Sequence, residues 1–239
     1  MKAMILAAGR GERMRPLTDT LPKPLLSVGG KPLIVWHIEN LVRAKFTQIV
    51  INHAHLGHLI EAALGDGSQF GARIHYSPEP EALETAGGIA QALPLLGENP
   101  FLVVNGDIYI DYDFSRAREI AMAMRANAAL FAAYLVLADN PLHHAQGDFA
   151  LAHSQVKLSG KTMLTFTGIA VYQPDVFRDI VPGSKAKLAP LLKTLIEYDL
   201  VRGEHHHAAW VDVGTPQRLA TLDRLLTRSA TPPNANETL

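Results

Sequence analysis

The chain contains no cysteine, which excludes disulfides, thiolate nucleophiles and cysteine-ligated zinc together. Excess charge of one sign is missing too: 22 lysines and arginines stand against 23 aspartates and glutamates, a formal net charge of −1. Such a balance makes the whole protein a poor magnet for nucleic acid or an anionic membrane, so any attraction for a polyanion has to come from a local cluster. The basic-aromatic surface pattern of a nucleic-acid-binding module is also lacking. No run approaches the roughly 18 apolar residues of a membrane span, and the opening run Met4 to Ala8 is shorter than the core of a signal peptide. The expectation is a cytoplasmic protein with no nucleic-acid and no membrane partner.

What is present is enough apolar material for a sizeable core: 48% of 239 residues are hydrophobic and 19% charged. KAMILAA (2–8) reads as a short buried strand stopped by Gly9, and residues 31–45 as an amphipathic helix with proline in its first turn. Then follow a strand at 48–53, a helix at 57–64 ending at Gly65, a strand at 73–76, a helix at 87–96, a strand at 101–107 and a helix at 114–126. Strand and helix alternating in this way predict an α/β fold with a parallel sheet under covering helices. After that the rhythm changes to strands at 129–137, 149–152, 155–158 and 164–172, a helix at 188–201, a strand at 206–211 and a closing helix at 215–228. We expect one domain over 1–228, its second half (126–228) adding a small mixed β lid to the first (1–125), and a polar tail at 229–239. Ligands of open parallel sheets sit beyond the carboxyl ends of the strands, here residues 8–15, 77–88 and 105–111.

Gly9-Arg10-Gly11-Glu12-Arg13 follows a strand, as a phosphate loop does, yet the dinucleotide fingerprint fails at Met14 and no P-loop motif occurs, Gly29-Gly30-Lys31 included. What remains is a glycine-rich turn whose N–H groups can approach an anion, with Arg13 and Lys23 to neutralise it. On these residues alone, a solvated basic loop is an equal reading. Asp107 ends the strand FLVVNGD, and Asp212 stands in WVDVGTP. Either aspartate alone could cap a turn or helix, but two strand-end carboxylates beside a Gly/Arg/Lys loop suit Mg²⁺, which takes oxygen ligands together with substrate phosphates.

These motifs taken in order resemble the sugar-1-phosphate nucleotidylyltransferases. Leu6 to Thr18 matches the pattern LxxGxGxRxxPxT, and Pro22-Lys23-Pro24-Leu25, Gly106-Asp107 and Asp212-Val213-Gly214-Thr215-Pro216 follow, so that the likeness extends over residues 1–225. It implies a doubly wound, mostly parallel mixed sheet of Rossmann-like type that binds a nucleoside triphosphate in its first half and a sugar 1-phosphate in its second. The sugar phosphate oxygen would attack the α-phosphorus in line and pyrophosphate would leave, a reaction governed by positioning and charge neutralisation. Carried over by motif, Arg13 would hold the triphosphate and Lys23 would bridge the reacting phosphates. Asp107 and Asp212 would hold Mg²⁺, while Ala8, Gly9, Gly11 and Glu12 would line the nucleotide.

EPEALETAGGIAQA (79–92) falls where that family reads the base. Gly87 and Gly88, expected to open a helix, would offer backbone contacts. The carboxylates Glu79, Glu81 and Glu84 would accept the ring N–H of uracil, thymine or guanine and lean against cytosine, though a solvated acidic loop is an equal reading. Thymidine is disfavoured because the glutamine of deoxythymidine-type enzymes is missing. For the sugar the candidates are Asn105, Asn140 and Gly147, with Asn140 alternatively a turn residue before proline and Thr167-Gly168 either lining or packing. NGDIY, DNPLHHAQGDF and TFTGIAVY are most similar to the N-acetylmuramate-1-phosphate uridylyltransferases of cell-wall recycling, which implies UTP as donor and a monomer or small homo-oligomer. Mannose-1-phosphate guanylyltransferases, glucose-1-phosphate nucleotidylyltransferases and, in another class, a silent nucleotide-sugar sensor are the alternatives. Of the 11 histidines, His53, His55 and His58 (HAHLGH) imitate a zinc cluster but read as structural, as does His205-His206-His207 in its strand. Trp36 reads as core.

Overall fold

A computed structural model describes residues 1–127 and 130–230. The chain opens with β1 (Ala3–Leu6), then the short hairpin of β2 (Ser27–Val28) and β3 (Lys31–Pro32), then α1 (Leu33–Arg43). Next come β4 (Gln48–His53), α2 (Gly57–Leu64), β5 (Arg73–Pro78), α3 (Glu84–Leu96), β6 (Phe101–Asn105), β7 (Ile108–Ile110) and α4 (Ser115–Ala126). The second half holds β8 (Ala133–Ala138), β9 (Phe149–Ala152), β10 (Gln155–Lys157), β11 (Met163–Tyr172), α5 (Leu188–Glu197), β12 (Val201–His206), β13 (Trp210–Asp212) and α6 (Pro216–Ala230).

Nine strands form one sheet in the order β5-β4-β1-β6-β11-β8-β12-β10-β9. The first four are mutually parallel; β11 is antiparallel to both β6 and β8, which returns β8 and its parallel neighbour β12 to the direction of β1. Side chains alternate through the central strands, and both faces are covered. Ala3 and Ile5 face one apolar cluster with Ile38 of α1, Ile60 of α2 and Met124 of α4. Met4 faces the other, with Ile89 of α3, Phe177 and Ile196 of α5. Helices on both faces of a mixed sheet, parallel through its first four strands, make the α/β fold that the alternation implied and the doubly wound form that the resemblance implied.

Several elements differ from expectation. The expected β lid is made of strands that continue the main sheet and curl back, β9 pairing with β10 on one side and with Met163-Leu164 of β11 on the other. α1 starts at Leu33 because Lys31-Pro32 is held in the β2–β3 hairpin. α3 starts at Glu84 rather than 87, since the N–H groups of Ala86 and Gly87 are both taken by the Ala186 carbonyl. α5 ends at Glu197 because Val201 already pairs with Ala133. The strand expected at 206–211 is two strands with different partners: β12 stays in the main sheet and β13 leaves it to pair with β7. α6 reaches Ala230, so residues 229 and 230, expected in the tail, are helical; residues 231–239, and residue 129 at the start of an expected strand, lie outside the described residues. No helix among the described residues is long and apolar enough to cross a membrane.

Phe101 is fully buried, its ring 6.1 Å from that of Phe177 and 6.4 Å from that of Tyr172. Truncating it removes a large apolar contact and leaves a cavity that a close-packed core fills only in part. Phe101→Ala is therefore expected to cost about 3–5 kcal/mol, read as a shift of the urea unfolding midpoint.

Candidate active site

The site is built on one row of the sheet. Leu6 at the end of β1 lies opposite Asn52 of β4 on one side and Asn105 of β6 on the other. Asn52 ties three segments together: its Oδ1 accepts the Ala7 N–H at 2.9 Å and its Nδ2 donates to Glu79 Oε1 at 2.7 Å. The other Glu79 oxygen accepts the Leu83 N–H at 2.9 Å. Glu79 is thus a buried brace for the loop before α3, and it is absent from the cavity wall. Gly88 belongs to the same brace, because a Cβ there would lie 2.7 Å from both Asn52 Nδ2 and Glu79 Oε1. The residues that reach the cavity from this loop are Ala82, Glu84 and Thr85.

A cavity of about 440 Å³ opens above this row, and Ala8, Gly9, Gly11, Glu12, Arg13 and Lys23 all line it. The loop shape follows from a few local contacts. Gly11 takes φ +70°, a left-handed conformation that glycine adopts freely, and its carbonyl accepts the Thr18 hydroxyl at 2.9 Å. Met14 is fully buried in a satellite cluster with Leu33 of α1 and with Val213, Leu219 and Leu222 around α6. Arg13 projects beside it into the cavity, and among the described residues it makes no ion pair. Arg10 instead contacts His55, and Arg15 bonds Asp19 at 2.7 Å. Lys23 heads a 3₁₀ turn between Pro22 and Pro24 that is closed by the Leu26 N–H on the Lys23 carbonyl. Although it is a lysine it is only 7% exposed, and its Nζ lies 2.7 Å from Asp107 Oδ2.

Asp107 and Asp212 are brought together by the β7–β13 ribbon. Asp212 pairs with Ile108, and the Val213 N–H donates to the Asp107 carbonyl at 3.0 Å. Both aspartates line a second cavity of about 400 Å³, which shares Arg13, Asn105 and Asp107 with the first. The two cavities are therefore parts of one cleft. Asp212 Oδ2 lies 3.1 Å from Arg218 Nη1 and 3.4 Å from His143 Nε2. A Cβ at Gly214 would meet Arg218, Arg13 and Asp212 within 3.0 Å, so bare backbone lets these charges converge. Two carboxylates from adjoining backbone that open on one cleft form an oxygen donor set suited to a hard cation such as Mg²⁺.

Residues 2–144 match the family model described as nucleotidyl transferase. The chain is 56% identical over 223 residues to the N-acetylmuramate alpha-1-phosphate uridylyltransferase of Neisseria meningitidis, covering 92% of this chain and 95% of that protein. The chain belongs to the nucleotidyl transferase family. An enzyme of the same name from Caulobacter vibrioides is 36% identical over 93% of this chain and 96% of its own. The fold agrees with a solved structure from Bacillus anthracis, described as a glucose-1-phosphate thymidylyltransferase, at a TM-score of 0.81 over 95% of both chains and 22% identity.

In this nucleotidyl transferase the three sugar candidates part company. Asn105 lines both cavities. Asn140 and Gly147 line neither. The Asn140 amide donates to the carbonyls of Ala145 (3.1 Å) and Met163 (2.9 Å), and its Oδ1 accepts the Thr165 hydroxyl at 2.8 Å. Gly147 packs directly against it, a Cβ there falling 2.7 Å from Asn140 Oδ1. The pair shapes the loop that presents His143 and His144 to the second cavity. Thr167 lines that cavity while its hydroxyl donates to the Val136 carbonyl at 2.7 Å, so it both lines and packs.

Sequence reasoning passed over Asn52, His37, His143 and Arg218. Asn52 had a signal, since it lies next to the last residue of a strand; Arg218 and His143 are joined to Asp212 by the fold alone. Trp36 is half-buried, its indole donating to the Val28 carbonyl at 3.0 Å with the Lys31 ammonium over its ring. His53 is buried against Glu61, and among the described residues HAHLGH forms no three-ligand group.

His37 supports the β7–β13 ribbon from beneath. It is buried, and its Nε2 donates to the Ile108 carbonyl at 2.8 Å. Burial pushes its pKa from 6.5 down to about 4, partly offset by that hydrogen bond and by Asp107. Because the folded ring resists a proton that the unfolded chain accepts, stability from this residue is complete above pH 6.5 and falls as pH drops toward 4, by about 3 kcal/mol in all. His37→Gln keeps a donor without the titration and should flatten that limb of the stability–pH curve; equal slopes in both proteins would refute the assignment. Glu79→Ala is expected to lower stability by about 2–4 kcal/mol in a urea melt, since it strands the buried Asn52 amide and the Leu83 N–H.

Proposed function

We infer that the protein transfers UMP from UTP to N-acetylmuramate 1-phosphate, giving a UDP-sugar and pyrophosphate. The observation that carries this reading is the likeness to the Neisseria meningitidis uridylyltransferase over nearly the full length of both chains. The geometry supplies the parts: a cationic glycine loop and a carboxylate pair open on one cleft.

Backbone N–H groups of the 9–11 turn and the Arg13 guanidinium hold the triphosphate. Lys23, rigid in its proline-flanked turn, reaches the reacting phosphates at the seam of the two cavities. Asp107 and Asp212 would hold Mg²⁺, which supplies positive charge against the phosphates when bound. The sugar phosphate, seated on the side of Asn105 and His143, attacks the α-phosphorus in line. A new P–O bond forms, the bond between the α-phosphorus and the bridging oxygen breaks, and pyrophosphate leaves with that oxygen toward Arg13. The base lies along residues 82–85, where carboxylate and carbonyl acceptors meet the uracil N–H; cytosine presents a lone pair at that position and is repelled. Glu79, Gly88, Asn140 and Gly147 act through the loops they shape. We place the reaction in the cytoplasm, in reuse of cell-wall sugar.

The test is pyrophosphate release with Mg²⁺, each of four nucleoside triphosphates and the 1-phosphates of N-acetylmuramate, N-acetylglucosamine, glucose and mannose. UTP with N-acetylmuramate 1-phosphate is expected to be fastest. A best pair of GTP and mannose 1-phosphate would overturn the specificity, and binding without any release would make the protein a sensor. Lys23→Ala and Asp107→Ala should each lower the rate by at least about 100-fold, because each removes charge stabilisation inside the cleft.

A further inference from the structure

We propose that Asp139, His205 and His207 form a binding site for a divalent transition ion of the Zn²⁺ class, separate from the carboxylate pair in the cleft. β8 and β12 run parallel with His206 opposite Ala138, so Asp139 follows one strand as His207 follows the other. The two segments thus leave the sheet side by side. Alternation along an extended chain puts His205 and His207 on one side, and their ring centroids are 4.0 Å apart. His206 points the other way, against the Tyr112 ring at 5.8 Å. His205 Nε2 lies 2.9 Å from Asp139 Oδ1, and one ligand atom from each of the three residues falls within 4.8 Å of the others.

Two ligands on a tetrahedral zinc ion are about 3.4 Å apart, given metal–nitrogen bonds near 2.0–2.1 Å. Closing from 4.8 Å needs only side-chain rotation, and Asp139 and His207, both exposed, are free to make it. Two imidazoles and one carboxylate suit a borderline-soft ion and are a poor set for Mg²⁺, which prefers oxygen alone. Three protein ligands leave a fourth position for water. A bound ion would pin the turn at 207–209 to the end of β8. That turn leads into β13 and Asp212, and Asp139 directly precedes Asn140, so the clip would join the two segments that wall the second cavity.

The experiment is a calorimetric titration of Zn²⁺ into the full chain in buffer with excess Mg²⁺, paired with thermal melts. Wild type should bind about one ion per chain, and so should Asp107→Asn with Asp212→Asn, since imidazole sites do not need those carboxylates. His207→Ala and Asp139→Asn should each weaken binding at least about tenfold. At a hundredfold excess over Kd the wild-type Tm should rise by about 5–10 °C, and the double variant His205→Ala/His207→Ala should show no rise. That variant should keep its Mg²⁺-dependent turnover, which shows an intact fold. No Zn²⁺ binding by wild type, or undiminished binding by the double variant, would overturn the proposal.

Discussion

A buried lysine needs a carboxylate. Lys23 brings its ammonium to the carboxyl edge of a parallel sheet with almost no solvent contact, and Asp107, 84 residues later, meets it at 2.7 Å. An unpaired ammonium there would cost several kcal/mol, so the position of Lys23 in the 9–25 loop depends on β6 lying beside β1. The contact then propagates. The Asp107 carbonyl holds the Val213 N–H, and Val213 shares its apolar cluster with Met14 of the glycine loop. Loop, strand end and ribbon form a closed circuit, and Arg13, Lys23, Asp107 and Asp212 take their places around it.

The same pairing explains how so many charges can occupy one cleft before any substrate is bound. Each carboxylate proposed for the metal is already matched by a cation of the chain: Asp107 by Lys23, and Asp212 by Arg218 with His143 nearby. In the proposed reaction these partners are exchanged rather than created. Phosphate oxygens would engage the cations, and the carboxylates freed from them would hold the metal, so the groups that meet the substrates are already in place before binding. Surface cations outside this exchange, Arg10 and Arg15, keep to local partners.

Much of this was legible in the sequence, for identifiable reasons. β4, α2 and β9 match their expected ranges to the residue, because apolar runs there are cut cleanly by glycine or polar turns. The glycine loop, Lys23, Asn105 and Asp107 were found at one cleft because their motifs sit at strand ends, where a parallel sheet exposes them. The failures come from tertiary pairing. β7 and β13 have three residues each, too few for a period to show, yet their ribbon unites the two aspartates. Gly87 and Gly88 suggested a helix start, whereas carbonyl 186 holds the helix one turn earlier. Glu79 and Asn140 look like ligands by residue type, but hydrogen bonds to Asn52 and to the 145 and 163 carbonyls turn them inward. Which way a polar side chain faces is decided by register, and register is not written in any single segment.

The central claim is that nucleotide and metal are held together by the cleft's carboxylate pair and its cationic loop. Calorimetric titration of a non-hydrolysable UTP analogue, with and without Mg²⁺, tests it most directly. Binding to the wild-type protein should depend on Mg²⁺ and be weakened at least about tenfold by Asp107→Asn and by Asp212→Asn. Binding of equal strength without Mg²⁺, or in both variants, would contradict it.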